Sequence, residues 1–181
     1  MKTRRIFLTA LTVWALLGTA DPIRADDGIP VLIAPVQESY HLTGLMLSGT
    51  AGGGVAPWRL PYRDKLFSKA LAALFQRDET YQEESGTMGH LDVNPFVSGQ
   101  AGEVKDLHIA VAGNSSDRQA DVIATFQSLG RPQTVRFQMI LENGVWRIDD
   151  IIDRVEDRDY SLAEQFDQPY PCGSFMHKPC R

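Results

Sequence analysis

From Asp106 onward, apolar side chains fall on every second position. They run Leu107, Ile109, Val111; then Ala120, Val122, Ala124, Phe126; then Val135, Phe137, Met139, Leu141; then Trp146 and Ile148. A period of two is that of a strand with one apolar face, so the pattern predicts four strands, joined at Asn114 to Asp117, Gly130 to Pro132 and Asn143-Gly144. The last of these is the firmest, because Asn-Gly tolerates the positive φ angles that a two-residue type I′ hairpin requires. Strands joined by such short turns form an antiparallel meander with one apolar face to cover.

Upstream the period becomes helical. Leu66, Phe67, Ala70, Leu71, Leu74 and Phe75 recur at steps of three, four and one, predicting a helix over Pro61 to Gln76. Arg63, Lys65, Lys69 and Arg77 lie opposite this stripe and read as a solvated basic face. Val36, Tyr40 and Leu47 share the face of an earlier helix, expected to begin around Pro35 because proline restricts the residue before it. Gly52-Gly53-Gly54 follows. Pro57, Trp58 and Pro61 stand where a phosphate loop would need a helix with Lys and Ser/Thr, so the triplet reads as a turn. Asp78 to Gln100 is polar and aperiodic and reads as a long ordered loop, whereas Ser161 opens a short helix over Leu162 to Phe166. The expected architecture is α+β, with N-terminal helices packed on one face of a curved four-stranded antiparallel sheet, helices first and strands after.

The ends of the chain add a compartment. Lys2, Arg4 and Arg5 precede an apolar run from Ile6 to Leu17 and the small residues Gly18-Thr19-Ala20, the layout of an export signal. The run is short of the roughly 20 residues that span a bilayer. Cleavage is expected after Ala25, with Ala20 as the alternative, and no stable membrane anchor is expected after processing. Thr3 to Leu8 also resembles the twin-arginine consensus without its final lysine, Thr9 standing there, so the folded-export and general routes both stay open. No cysteine follows the apolar run, which argues against lipid attachment there. Cys172 and Cys180 are the only cysteines, and in an oxidising compartment they are expected to form a disulfide that closes the tail. Cys172, His177 and Cys180, with Met176 as a further ligand, make the alternative soft-metal set, but their spacing matches no standard finger.

Loss of residues 1 to 25 removes four basic residues and one acidic one, taking the formal charge from −5 to −8. So acidic a chain is not expected to bind nucleic acid or an anionic membrane broadly. Residues 26–168 are expected to form one domain, with 169–181 as the disulfide-closed tail.

Leu91-Asp92-Val93-Asn94-Pro95-Phe96, then Gly99-Gln100 and Asp106-Leu107, and finally Val145-Trp146-Arg147-Ile148-Asp149-Asp150-Ile151, together resemble the bacterial domain of unknown function 3828 family over about residues 30 to 166. The resemblance implies an exported envelope protein with a cone-shaped, cystatin-like sheet of the nuclear-transport-factor-two type. It brings no catalytic residue, and the lipid cysteine carried by some members is absent here.

Folds of this kind can hold a pocket between helices and sheet, which makes polar residues near the apolar face worth weighing. His90 and Asp92 have the residue types of an oriented general base, against an ordinary loop with an Asx-type turn. Asp149 and Asp150 are adjacent, so regular alternation would point them to opposite faces and bar a shared-proton pair. One could enter a pocket; the structural alternative has both ending the strand by satisfying backbone donors or pairing with Arg147 or Arg136. Tyr62, Tyr81 and Tyr160 carry no assignment. Three functions remain open. The first is a non-catalytic binding module of the periplasm, recognising an envelope protein or a small ligand and needing no cofactor. The second is an acid/base enzyme of the isomerase, dehydratase or hydrolase type, built from His90, Asp92 or Asp150 with a tyrosine. The third is a periplasmic inhibitor or immunity protein.

Overall fold

The computed structural model describes residues 29–49, 54–155 and 158–170. The export segment with Ala20 and Ala25, Gly52-Gly53, and the tail bearing Cys172, Met176, His177 and Cys180 lie outside the described residues.

The elements run α1 (Ile29–Leu47), α2 (Arg63–Leu66), α3 (Lys69–Ser85), β1 (Lys105–Ser115), β2 (Gln119–Ser128), β3 (Arg131–Glu142), β4 (Val145–Val155), β5 (Arg158–Ser161) and α4 (Leu162–Phe166). The strands pair antiparallel in the order β1-β2-β3-β4-β5, an α+β arrangement with helices ahead of an open meander. Five strands form, not four. The fifth is a four-residue ribbon whose Tyr160 pairs with Asp153 and whose Ser161 pairs with Ile152; it is too short to show a period of two.

The helices differ from the sequence expectation in three places. α1 starts at Ile29 and carries Pro35 inside it. Leu32 and Val36, 7% and 0% exposed, share one buried face at i and i+4, and their burial outweighs the hydrogen bond that proline cannot donate. The helix expected over Pro61 to Gln76 is broken at Phe67-Ser68. Phe67 is extended and bridges Ile148, the Ser68 N–H donates to the Ile148 carbonyl, and the Ser68 hydroxyl caps α3 by accepting from Leu71 N. α3 then runs to Ser85 and ends at Gly86, whose φ of 68° makes the left-handed cap, so the first part of the expected loop is helix.

The break also redistributes the basic residues. Lys65 and Lys69 are exposed, but Arg63 is 4% exposed and pairs with Glu79 at 2.9 Å, with Arg59 joining the same carboxylate. Arg77 reaches the Phe166 carbonyl and lies 5.5 Å from the centre of the Tyr170 ring. The expected solvated face is therefore partly a set of internal ties.

Asn143-Gly144 forms the expected tight hairpin, with φ of 50° and 79° between the paired Glu142 and Val145. The β2–β3 turn is Leu129-Gly130, φ 51° and 73°, and Pro132 already pairs with Gln127 in the ladder. The core lies on the inner face of the sheet. Val122, Ala124 and Phe126 of β2 and Val135, Phe137 and Met139 of β3 are buried there under Leu71 and Phe75 of α3, Tyr40 of α1 and Phe166 of α4. Trp146 packs half-buried at the margin of this cluster, and Ile148 is fully buried. Among the described residues no helix is long and apolar enough to cross a membrane.

Candidate functional site

Along β4 the regular alternation fails once. Met139 pairs with Ile148 and Gln138 with Asp150, so Asp149 is the extra residue of a β-bulge. Past the bulge Phe137 faces Ile151 and Val135 faces Asp153, which brings Ile151 and Asp153 onto the core face. Counting by two from Trp146 and Ile148 would have turned both away.

The bulge also alters the expected roles of the two adjacent aspartates. Neither ends the strand, and neither pairs with Arg136, which instead binds Asp159 at 2.6 Å and Asp121 at 3.6 Å, but Asp150 does satisfy backbone donors as the structural alternative expected. Asp150 is buried, and both of its oxygens are occupied. Oδ1 accepts from Ile151 N at 2.8 Å and Ala163 N at 3.0 Å, and Oδ2 accepts from Ser161 Oγ at 2.5 Å. The carboxylate thus ties β4 to the first turn of α4. Asp149 is half-buried and lines an open polar hollow of about 580 Å³ with Asp121 and Gln138.

His90 and Asp92 are close in the chain but no hydrogen bond joins their side chains; their link is Asp92 N to the His90 carbonyl at 3.1 Å. The His90 ring packs tilted against Tyr170 with centroids 4.1 Å apart, and its Nε2 lies 3.0 Å from the Gln168 carbonyl, which can only accept, so Nε2 carries the proton. The buried carboxylate beside this histidine is Asp78. It accepts from His90 N at 2.6 Å, Leu91 N at 3.4 Å, Gln82 Nε2 at 2.7 Å and Tyr170 Oη at 3.0 Å. Burial, followed by the charge and hydrogen bond of Asp78 and opposed by Arg77, pushes the Tyr170 phenol up to about 12. Asp78 stands out by no motif in the sequence, although it continues the buried face of α3 from Leu71 and Phe75 at steps of four and three.

Asp92 lies instead at the rim of a cavity of about 260 Å³ that the 92–98 loop makes with the end of β4, Tyr160 of β5 and α4. Val93 and Pro95 come from the loop, Ile151 and Asp153 from β4, and Leu162 and Gln165 from α4. Of the two stretches that carried the family resemblance, Leu91 to Phe96 supplies Asp92, Val93 and Pro95 to this cavity, and Val145 to Ile151 supplies its last residue, Ile151. Asp153 is half-buried and oriented. Its Oδ1 accepts from Ser98 Oγ at 2.9 Å and from Arg154 N at 2.8 Å, while Oδ2 accepts no hydrogen bond among the described residues. Asn94 shapes the loop, its Oδ1 accepting from Phe96 N at 3.0 Å and its backbone bridging Gly99, which is the Asx-type turn expected there.

Behind this corner lies Tyr40, whose ring meets Phe96 at 5.7 Å and Phe137 at 6.0 Å. Its hydroxyl is buried with no hydrogen-bond partner among the described residues, and burial, with the charge of Asp153 added, holds the phenol well above its ordinary value. Ser98, Asp153 and Tyr160 were not legible as site residues, because Asp153 and Tyr160 reach the inner face only through the bulge and the short fifth strand. Among the described residues no group of three or more His, Cys, Asp or Glu is placed to hold a metal ion.

No family model, no curated protein and no solved structure matches this chain.

Proposed function

We propose that the chain is an exported, cystatin-like binding module of the bacterial periplasm that holds a small ligand, or one side chain of an envelope protein, in the cavity between the 92–98 loop and the β4–β5–α4 corner. One observation carries this reading. The cavity is walled by Val93, Pro95, Ile151 and Leu162 and carries an oriented carboxylate, Asp153, with an oxygen to spare. Ligand sites combine apolar walls with a few placed polar groups in this way. The resemblance to an exported envelope family supports the compartment and the cone-shaped form, and Asp92, Val93 and Pro95 of its first motif and Ile151 of its second line this cavity. The acid/base alternative loses support from the same geometry: His90 is engaged with Gln168 and Tyr170, and Asp150 with three donors. The test is affinity capture with the mature chain from envelope extract, followed by mass spectrometry of proteins and small molecules. A reproducible partner that is lost when Ile151→Trp fills the cavity supports the reading; recovery of none, or of one indifferent to that substitution, overturns it.

A further inference from the structure

We infer that the ligand of this cavity is a small organic cation, a primary ammonium on an apolar stem of a few carbons. The inference rests on the binding reading and names its ligand class. Size sets the first bound. At about 260 Å³ the cavity falls below the roughly 300 to 1,000 Å³ usual for drug-sized ligands, which leaves room for a short chain and not for a nucleotide.

Charge sets the second bound. Asp92 and Asp153 line the cavity, no lysine or arginine lines it, and neither aspartate is in an ion pair among the described residues. A half-buried carboxylate with no opposite charge attracts a cation more strongly than one in open water, and it repels an anion. Ser98 holds one oxygen of Asp153 and leaves the other available, so little ordering remains to be done when a donor arrives. The apolar side chains of Ile151 and Leu162, 2% and 6% exposed, suit a hydrocarbon stem. Tyr160, half exposed at the rim, adds an aromatic ring, which attracts a cation through its face.

One further polar group lies behind the cavity wall. The Tyr40 hydroxyl has no hydrogen-bond partner among the described residues, and its ring packs on Phe96 and Phe137, whose neighbours Pro95 and Ile151 line the cavity.

The same primary ammonium could come from a free amine or from a lysine side chain. The experiment titrates the mature chain with n-hexylammonium, a doubly blocked lysine, 1-hexanol and hexanoate. Affinity is read by calorimetry, and the site by the methyl shifts of Ile151 and Leu162. Hexylammonium is expected to bind at least about tenfold more tightly than hexanol, and Asp153→Asn to weaken it by about tenfold while sparing hexanol. Ser98→Ala keeps the charge but loosens the carboxylate, and is expected to cost about threefold. If Asp153→Asn fails to fold, Asp92→Asn and Ser98→Ala decide the matter. Tighter binding of blocked lysine than of hexylammonium assigns the ammonium to a protein side chain; the reverse assigns it to a free amine. Hexanol or hexanoate matching the amine, or a cation that binds without moving the two methyls, overturns the cation class and leaves a binding cavity standing. Failure of all four probes to bind overturns the cation class, while capture from envelope extract decides the binding reading separately.

Discussion

Asp78 accepts four hydrogen bonds from three separate segments: its own helix through Gln82, the loop through His90 and Leu91, and the end of the described chain through Tyr170. An alanine there would leave buried donors unmatched, and Asp78→Ala is expected to cost about 3 kcal/mol in urea unfolding. The approach is so close that a Cβ on Gly89 would overlap the carboxylate, which gives that glycine its reason. Tyr170 supplies a pH test. Its folded value lies above the ordinary 10.0, at about 12, so its contribution is complete below pH 10 and is lost as pH rises from 10 towards 12. Unfolding midpoints at pH 9 and 11 should therefore fall in the native protein, and fall less in Tyr170→Phe. Neither role was readable from the residues alone, because the donors to Asp78 come from positions up to 92 residues away.

At the scale of elements, the bulge at Asp149 does the most to place the candidate site. It turns Ile151 and Asp153 inward, and it separates two neighbouring aspartates into a structural tie and a surface group. Asp150→Ala should leave Ala163 N and Ser161 Oγ without their acceptor and cost about 2 to 3 kcal/mol in urea unfolding, with loss of α4 order seen by amide exchange. Asp149→Ala, whose side chain is half exposed and makes no hydrogen bond or ion pair among the described residues, should stay within about 0.5 kcal/mol in the same measurement. Equal costs for the two would refute the assignment. The hairpin at Asn143-Gly144 and the short helix after Ser161 were legible, since each depends on a few adjacent residues. The bulge and the break at Phe67-Ser68 were not, because each is set by a partner strand or carbonyl distant in sequence.

For the whole molecule, one buried cluster draws on α1, α2, α3, the sheet and α4. Trp58 stacks on Phe96 at 6.2 Å, while Trp146 packs on the cluster from β4. If the cluster is shared, the two indoles should report one transition: single-tryptophan variants retaining Trp58 or Trp146 are expected to show the same urea midpoint as far-ultraviolet circular dichroism. Separate midpoints would show two independently stable parts. By itself, the sequence determined the class of the fold, the order of helices and strands, the inner residues of β2 and β3 and the tight turn between β3 and β4. All of these follow from periodicity and from backbone preferences that act over a few residues. Tertiary structure alone decided that Asp92, Ser98, Asp153 and Tyr160 share one cavity, that Asp78 is a junction and that Asp150 is fully engaged. Those facts depend on register, on one inserted residue and on a loop closing over a sheet, and periodicity along the chain carries no record of which distant backbone will come to lie beside it.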